Sequence, residues 1–326
     1  MIWVVKGAVA VLLLMMAVGV LAVVAEERAR ERDAKLHPPP GRMIAVDDRA
    51  MHIRCVGQGA PTVVLEAGGG NPAMLADPVQ DRVARVTRVC SYDRAGLGWS
   101  DPAPDGRTFE DRARELHALL AAAGEPGPYV LVGESFGGLL ARTFTRLYPH
   151  EVAGVVLVDA AEEQLVFGKL AKFQAQTRQV KAYALAARLG LIRWAIIHRP
   201  EQTGLPAGMP LDERRRFAAL LSRPAYMAAL PQEVEAYELA PPGQRLAGGF
   251  GRLGDRPLEV IAHGRPFVGA QAWMEDGWSA GQARLATLST DSETVVAAQS
   301  GHAIAQTQPD LVAEVIGRVV GKVRNN

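Results

Sequence analysis

The sequence predicts an α/β fold built on a mostly parallel, doubly wound sheet, and two observations support this. The first is a set of short apolar runs, each bounded by Gly, Pro or charged residues, at 62–65, 88–92, 129–132 and 155–158. Their length and β-branched content are typical of strands buried on both faces. The second is the pair of helix-like stretches between them, at 108–123 and 139–148. Alternation of strand and helix indicates the α/β class.

Further strands are predicted on either side of this central set. Two runs at 43–46 and 51–56 are separated by a short segment that contains three charged residues, which indicates a β-hairpin. Near the C-terminus the alternation resumes, with apolar runs at 258–262 and 294–298 and helix-like stretches at 270–288 and 309–323. The sheet therefore draws strands from both halves of the chain.

The middle of the chain, 161–254, has a different pattern. It is rich in Ala, Leu and Arg, it is broken by repeated prolines, and it contains no convincing strand. We therefore predict a helical cap inserted into a core formed by 41–160 and 255–326.

The N-terminal segment, 1–25, predicts a transmembrane anchor or a signal sequence. All nineteen residues from Gly7 to Ala25 are apolar or Gly, and a helix of that length can just span a bilayer. We favour an uncleaved anchor, because the apolar core of a signal sequence is usually only about 7–15 residues long. Secretion after cleavage at Ala25 is the alternative. A charged and proline-rich linker, 26–40, follows.

The overall charge argues against a nucleic-acid partner. Lys and Arg number 36 against 35 Asp and Glu, for a formal net charge of +1. No global field therefore favours a polyanion.

The strongest chemical motif is Gly133-Glu134-Ser135-Phe136-Gly137, which directly follows the predicted strand 129–132 and precedes a helix. A strand, a sharp turn and a helix form the setting of a nucleophile elbow, in which glycines allow close backbone approach and leave the serine hydroxyl exposed. We predict Ser135 as a nucleophile. The amide of Phe136 is a candidate oxyanion donor.

A serine nucleophile needs a base, and His302 is the predicted one. It lies just after the last predicted strand, in the loop before the final helix, and the order of nucleophile, acid and base along the chain fits. His263, at the end of the strand 258–262, is the competing candidate. His52 and His117 have the setting of structural or solvated residues.

At this point the sequence resembles the α/β-hydrolase fold superfamily, and within it bacterial esterases, lipases and haloperoxidase-like enzymes. Besides the elbow, the resemblance rests on the segment 92–101 (YDRAGLGWSD), on 155–159 (VVLVD), and on Gly301-His302 with Pro309-Asp310-Leu311 after it. It covers the chain from about Gly41 onwards, except the cap.

The resemblance implies the remaining parts of the site. The second oxyanion donor in this family lies in the loop after the third strand, which here is 66–70, and this makes Gly69 our choice. The usual acid after the penultimate strand is missing, because 263–269 contains no carboxylate. Some members place the acid one strand earlier, where this chain has Asp159. We predict Asp159 as the acid, with Glu275 and Asp276 as the alternatives. The pair Asp93 and Arg94 is expected to brace loops near the site.

Cys55 and Cys90 both lie in predicted strands, so two buried small side chains or a disulfide are possible, and neither has metal-ligand spacing. The family's sheet order would place their strands side by side, which makes a disulfide between them plausible. Because disulfides persist in oxidising compartments, we expect an extracytoplasmic catalytic domain.

The sequence as a whole predicts a serine hydrolase that cleaves carboxylic esters, or related acyl compounds, through an acyl-enzyme, with no metal or organic cofactor. Its predicted partners are a small acyl substrate and a membrane. The alternative is a catalytically silent binding or receptor protein on the same fold, because fold does not dictate function.

Overall fold

The computed structural model describes residues 2–203, 205 and 208–325, and these divide into two compact units. One comprises the described residues of Met1–Pro38 and Gln176–Ala228, and the other those of Pro39–Ala175 and Ala229–Asn326. Met1 of the predicted anchor and residues 204, 206 and 207 of the predicted cap lie outside the described residues. The limits of the cap remain a prediction.

The larger unit contains an eight-stranded sheet with the order β1-β2-β4-β3-β5-β6-β7-β8. The strands are Arg42–Val46 (β1), Arg49–Val56 (β2), Thr62–Glu66 (β3), Val89–Tyr92 (β4), Tyr129–Glu134 (β5), Val152–Val158 (β6), Leu258–His263 (β7) and Ser292–Ala297 (β8). The pairs β1–β2 and β2–β4 are antiparallel, and the other neighbours run parallel. The predicted α/β class and mostly parallel sheet are confirmed.

Helices alternate with the strands along the chain. The α-helices are Ile2–Leu36 (α1), Asp77–Val83 (α2), Phe109–Ala123 (α3), Phe136–Leu147 (α4), Glu163–Gly168 (α5), Leu170–Arg188 (α6), Leu191–His198 (α7), Leu211–Leu221 (α8), Pro224–Leu239 (α9), Trp278–Ala286 (α10), Ile304–Thr307 (α11) and Pro309–Asn325 (α12). Buried residues of α3, α4 and α10 share one core cluster with one set of strand side chains, and those of α2, α11 and α12 share a second. The sheet is thus covered on both faces, since strand side chains alternate between them.

The helices differ from the sequence-based prediction at two places. The stretch 270–288 forms two pieces, a 3₁₀ helix at Gly269–Met274 and then α10. Gly277, with a φ of 81°, lies between them and is the N-cap of α10. The sequence does not predict α2, whose seven residues are too few to display a helical period.

The carboxyl ends of β5, β6 and β7 lie along one edge of the sheet. Ser135 directly follows β5, Asp159 follows β6, and His263 is the last residue of β7. Open α/β sheets bind ligands at this edge, so the topology alone gathers chemistry-bearing residues there.

The smaller unit contains α1, which is long and apolar enough over Trp3–Leu36 to cross a membrane, by length and composition. Beyond its apolar part, the carboxylate of Glu26 is buried and accepts from Arg193 of α7 at 2.8 Å. Arg193 also pairs with Asp33 of α1 and donates to Ser222 at 2.9 Å. The polar end of α1 is therefore held within this unit by buried, charge-assisted hydrogen bonds.

A disulfide links Cys55 and Cys90. The two residues are direct partners in the antiparallel register between β2 and β4. The implied sheet order and the disulfide are both present in the structure.

Candidate active site

Ser135 lies in a sharp turn between β5 and α4, with a φ of 51° and a ψ of −117°. A non-glycine residue in such a conformation costs about 1–3 kcal/mol, and this strain recurs at functional sites. The flanking glycines make the turn possible. A Cβ at Gly133 would lie 2.6 Å from the carbonyl oxygen of Gly137, and one at Gly137 would lie 2.3 Å from that of Glu66.

His302 reaches the serine from the loop between β8 and α11. Its Nε2 lies 3.0 Å from Ser135 Oγ, and its Nδ1 lies 2.6 Å from Asp159 Oδ2. With the proton on Nδ1, the ring donates to the carboxylate and accepts the serine hydroxyl proton. The structure thus brings together the three side chains that the sequence predicted as nucleophile, base and acid.

Asp159 is fully buried and has a φ of 43°, so it is a second strained residue of the site. Its Oδ1 accepts from the indole Nε1 of Trp278 at 2.8 Å and from the backbone N–H of His263 at 3.2 Å. Burial raises the pKa of Asp159, but hydrogen bonds from His263 and His302 outweigh it and lower that pKa to about 2. The carboxylate is therefore ionised at neutral pH.

The competing candidates occupy a neighbouring position. His263 Nδ1 lies 2.7 Å from Asp159 Oδ2, and its Nε2 lies 3.3 Å from Glu275 Oε2. Glu275 also accepts from the backbone of Phe267 at 2.9 Å. The side chain of Asp276 is 97% exposed. The carboxylate that contacts His302 is thus that of Asp159, whereas Glu275 faces His263.

The predicted oxyanion loop lies against the elbow. A Cβ at Gly68 would lie 3.6 Å from Ser135 Cβ, and one at Gly69 would lie 3.4 Å from Phe136 Cβ. The amide of Phe136 begins α4, where the helix dipole favours negative charge. Gly69 and Phe136 therefore lie next to each other, and their roles as oxyanion donors stay a prediction.

A buried arginine holds this loop. Arg94 donates to the carbonyl oxygens of Ala67 and Gly68, both at 2.7 Å, and its Nε donates to Glu233 of α9 at 2.6 Å. The carboxylate of Glu233 also accepts from the amide of Gly70. The expectation that Arg94 braces loops near the site fits this geometry.

Further buried groups belong to this network. Arg94 also pairs with Glu66 at 2.7 Å, and Tyr92 donates to the same carboxylate. Burial lowers the pKa of Arg94, but Glu233 and Glu66 outweigh it and raise that pKa. Burial raises the pKa of Glu66. Sequence reasoning missed Glu233, because a glutamate on a proline-containing helix carries no signal of its partner.

Asp93 and His52 form a separate buried pair. Asp93 Oδ2 lies 2.7 Å from His52 Nδ1, and the same carboxylate accepts from the backbone N–H groups of Ala73 and Trp99 at 2.7 and 3.1 Å. His117 lies 3.0 Å from Glu151. Both histidines are engaged away from the serine, in agreement with their expected structural role.

Two groups of described residues have the composition of a metal site. Asp159, His263 and His302 bring their donor atoms within 4.8 Å of one another. Their separations of 2.6 and 2.7 Å are hydrogen-bond distances, which require protons on the nitrogens that a metal would need free. The other group, Cys55 and Cys90 with Glu125, has both sulfurs in the disulfide.

Comparison with known proteins agrees with this fold. A family model described as the alpha/beta hydrolase fold matches residues 61–197. The uncharacterized protein YbdG of Bacillus subtilis is 25% identical over 175 residues, which are 52% of this chain and 53% of that protein. The chain matches about half or less of the length of the first curated relatives.

Solved structures extend the likeness over more of the chain. A thermophilic esterase from Thermogutta terrifontis is 22% identical with a TM-score of 0.60, covering 86% of this chain and 97% of that one. A bacterial membrane phospholipase A is 19% identical with a TM-score of 0.63, and the match covers 100% of both chains. At these identities the likeness concerns the fold.

Proposed function

We propose that this chain, a member of the α/β-hydrolase fold superfamily, is a serine hydrolase that cleaves carboxylic esters through an acyl-enzyme. One observation carries the proposal. The strained Ser135 presents its hydroxyl to His302 at 3.0 Å, while the opposite ring nitrogen contacts the buried Asp159 at 2.6 Å. This is the geometry of a nucleophile, a base and an orienting acid.

In the proposed acylation step, the Ser135 hydroxyl gives its proton to His302 Nε2 as Oγ attacks the ester carbonyl carbon. The carbonyl oxygen takes up the electron pair, and the amides of Gly69 and Phe136 donate to it. As the tetrahedral intermediate collapses, the imidazolium gives its proton to the leaving alcohol. Asp159 holds the tautomer of His302 and stabilises its positive charge.

Deacylation repeats these steps with water as the nucleophile. His302 takes a proton from water, hydroxide adds to the acyl carbon, and the proton returns to Ser135 Oγ as the acid product leaves. Thioesters and lactones offer the same electrophilic carbonyl, so they belong to the same proposed substrate class.

We also propose that α1 anchors the enzyme in a membrane with the catalytic unit on the extracytoplasmic side. The exposed apolar residues of α1 support the anchor. The Cys55–Cys90 disulfide supports an oxidising compartment.

Labelling with a fluorophosphonate probe, alongside hydrolysis of p-nitrophenyl esters of rising chain length, tests the proposed function. We expect Ser135→Ala in the full-length, detergent-solubilised protein to abolish labelling and to lower kcat by about 10⁵-fold or more. Ser292→Ala is the matched control, because Ser292 begins β8 at the opposite edge of the sheet. Absence of labelling in the folded wild type would instead favour a silent binding protein.

A further inference from the structure

His263 holds both oxygen atoms of Asp159. Its backbone N–H lies 3.2 Å from Oδ1 and its ring Nδ1 lies 2.7 Å from Oδ2. Oδ2 is also the atom that His302 contacts at 2.6 Å. One residue of β7 thus fixes the carboxylate plane that orients the proposed base.

The surroundings of His263 determine its protonation. Its second nitrogen, Nε2, lies 3.3 Å from Glu275 Oε2, and an ionised carboxylate only accepts hydrogen bonds. Each ring nitrogen therefore faces an acceptor and needs a proton of its own. The rings of Phe267 and Trp278 pack against it, at centroid distances of 5.0 and 6.4 Å.

The charges around the ring favour the imidazolium form. The groups that face it are Asp159 after β6, Glu275 before α10 and, across Asp159, His302 after β8. Burial lowers the pKa of His263, but the hydrogen bond and charge of Asp159, together with Glu275, raise it above its ordinary value.

We propose that His263 is a positioning residue, which clamps Asp159 as an imidazolium and limits how strongly that carboxylate stabilises a proton on His302. The inference rests on the proposed function, since it assigns a role within the same site. The clamp also accounts for the displaced acid. The end of β7, where the resemblance implies a carboxylate, carries instead a histidine that pairs with the carboxylate after β6.

Two substitutions separate the clamp from its charge. His263→Asn keeps an amide donor near the position of Nδ1 but removes the positive charge, whereas His263→Phe removes both. For His263→Asn we expect kcat within about tenfold of wild type. The midpoint of the acidic limb of kcat/KM should rise by about half a pH unit or more, because a nearby positive charge no longer opposes protonation of His302. His263→Phe should additionally lower kcat by about 100-fold as Asp159 loses its alignment.

His52→Asn is the matched control, because His52 is also buried and lies 2.7 Å from an aspartate through Nδ1. It should lose stability without moving the pH midpoint. Unshifted midpoints in both His263 variants would overturn the clamp. If His263→Phe does not fold, the midpoint of His263→Asn decides alone. Labelling at Ser135 tests the proposed function separately: its presence with unshifted midpoints refutes only the clamp.

Discussion

Two buried histidine–aspartate pairs in this molecule share the same geometry but differ in what the histidine faces on its other side. His52 and Asp93 are 2.7 Å apart, as are His263 and Asp159. Among the described residues, Nε2 of His52 is buried and has no hydrogen-bond partner, whereas Nε2 of His263 faces the carboxylate of Glu275.

A third histidine completes the comparison, because His302 shares Asp159 Oδ2 and directs its Nε2 at the Ser135 hydroxyl. In the proposed mechanism, a histidine–aspartate contact alone does not make a histidine the base. The three rings differ in what faces Nε2. Nε2 of His263 faces the carboxylate of Glu275, whereas Nε2 of His302 faces the hydroxyl of Ser135.

The largest expected difference between the two pairs is in kcat when each aspartate is replaced by asparagine. Asp159→Asn should lower kcat by about 10³- to 10⁴-fold, because an amide can hold the wrong tautomer of His302 and cannot stabilise its positive charge. Asp93→Asn should lower kcat by less than tenfold and act mainly on stability, because its partners are His52 and backbone amides. Hydrolysis of a p-nitrophenyl ester and urea unfolding measure the two effects. Equal loss of kcat in both variants would contradict the claim that Asp159, and not Asp93, orients the base.

Acid stability gives a smaller test of the same carboxylate. The pKa of Asp159 lies near 2, below its ordinary value of 3.8, so its ionised form stabilises the folded state. That contribution, about 2 kcal/mol, is present above pH 4 and is lost as the pH falls towards 2. We expect the free energy of unfolding, measured with urea between pH 5 and 2, to fall by more in the wild type than in Asp159→Asn. Parallel curves for the two proteins would contradict it.

The smallest expected effect concerns the loop that Arg94 and Glu233 hold. Glu233→Gln should lower kcat by about tenfold with little change in KM, because the carboxylate that binds Arg94 and the Gly70 amide loses its charge. This is less than the loss of an oxyanion donor itself. Glu235→Gln, two residues along α9, is the control, since that carboxylate accepts a 3.2 Å hydrogen bond from the amide of Gly106. Equal kcat in the two variants would remove Glu233 from the positioning of the loop.

The sequence predicts the parts of the molecule that follow from local pattern. Apolar runs predict the buried parallel strands. The glycines of the elbow predict its sharp turn, because the backbone there leaves no room for a side chain. Because the carboxyl ends of parallel strands share an edge of the sheet, the sequence alone predicts that Ser135 and Asp159 lie near each other.

Long-range partners carry no such pattern. Trp278 donates to Asp159 across 119 positions, and Glu233 meets Arg94 across 139. Neither contact follows from a period or a motif. His263 is an intermediate case. The sequence predicts its strand and makes it a competing candidate for the base, but the proposed clamp depends on two carboxylates that only the fold brings to the ring.

The most direct test of the central claim is mass spectrometry of the enzyme quenched in acid during turnover of a p-nitrophenyl ester. We expect the mass of the acyl group on the peptide that contains Ser135 and its absence in Ser135→Ala. Hydrolysis that continues at the wild-type rate in Ser135→Ala, or an acyl group carried by another residue during turnover, would contradict it.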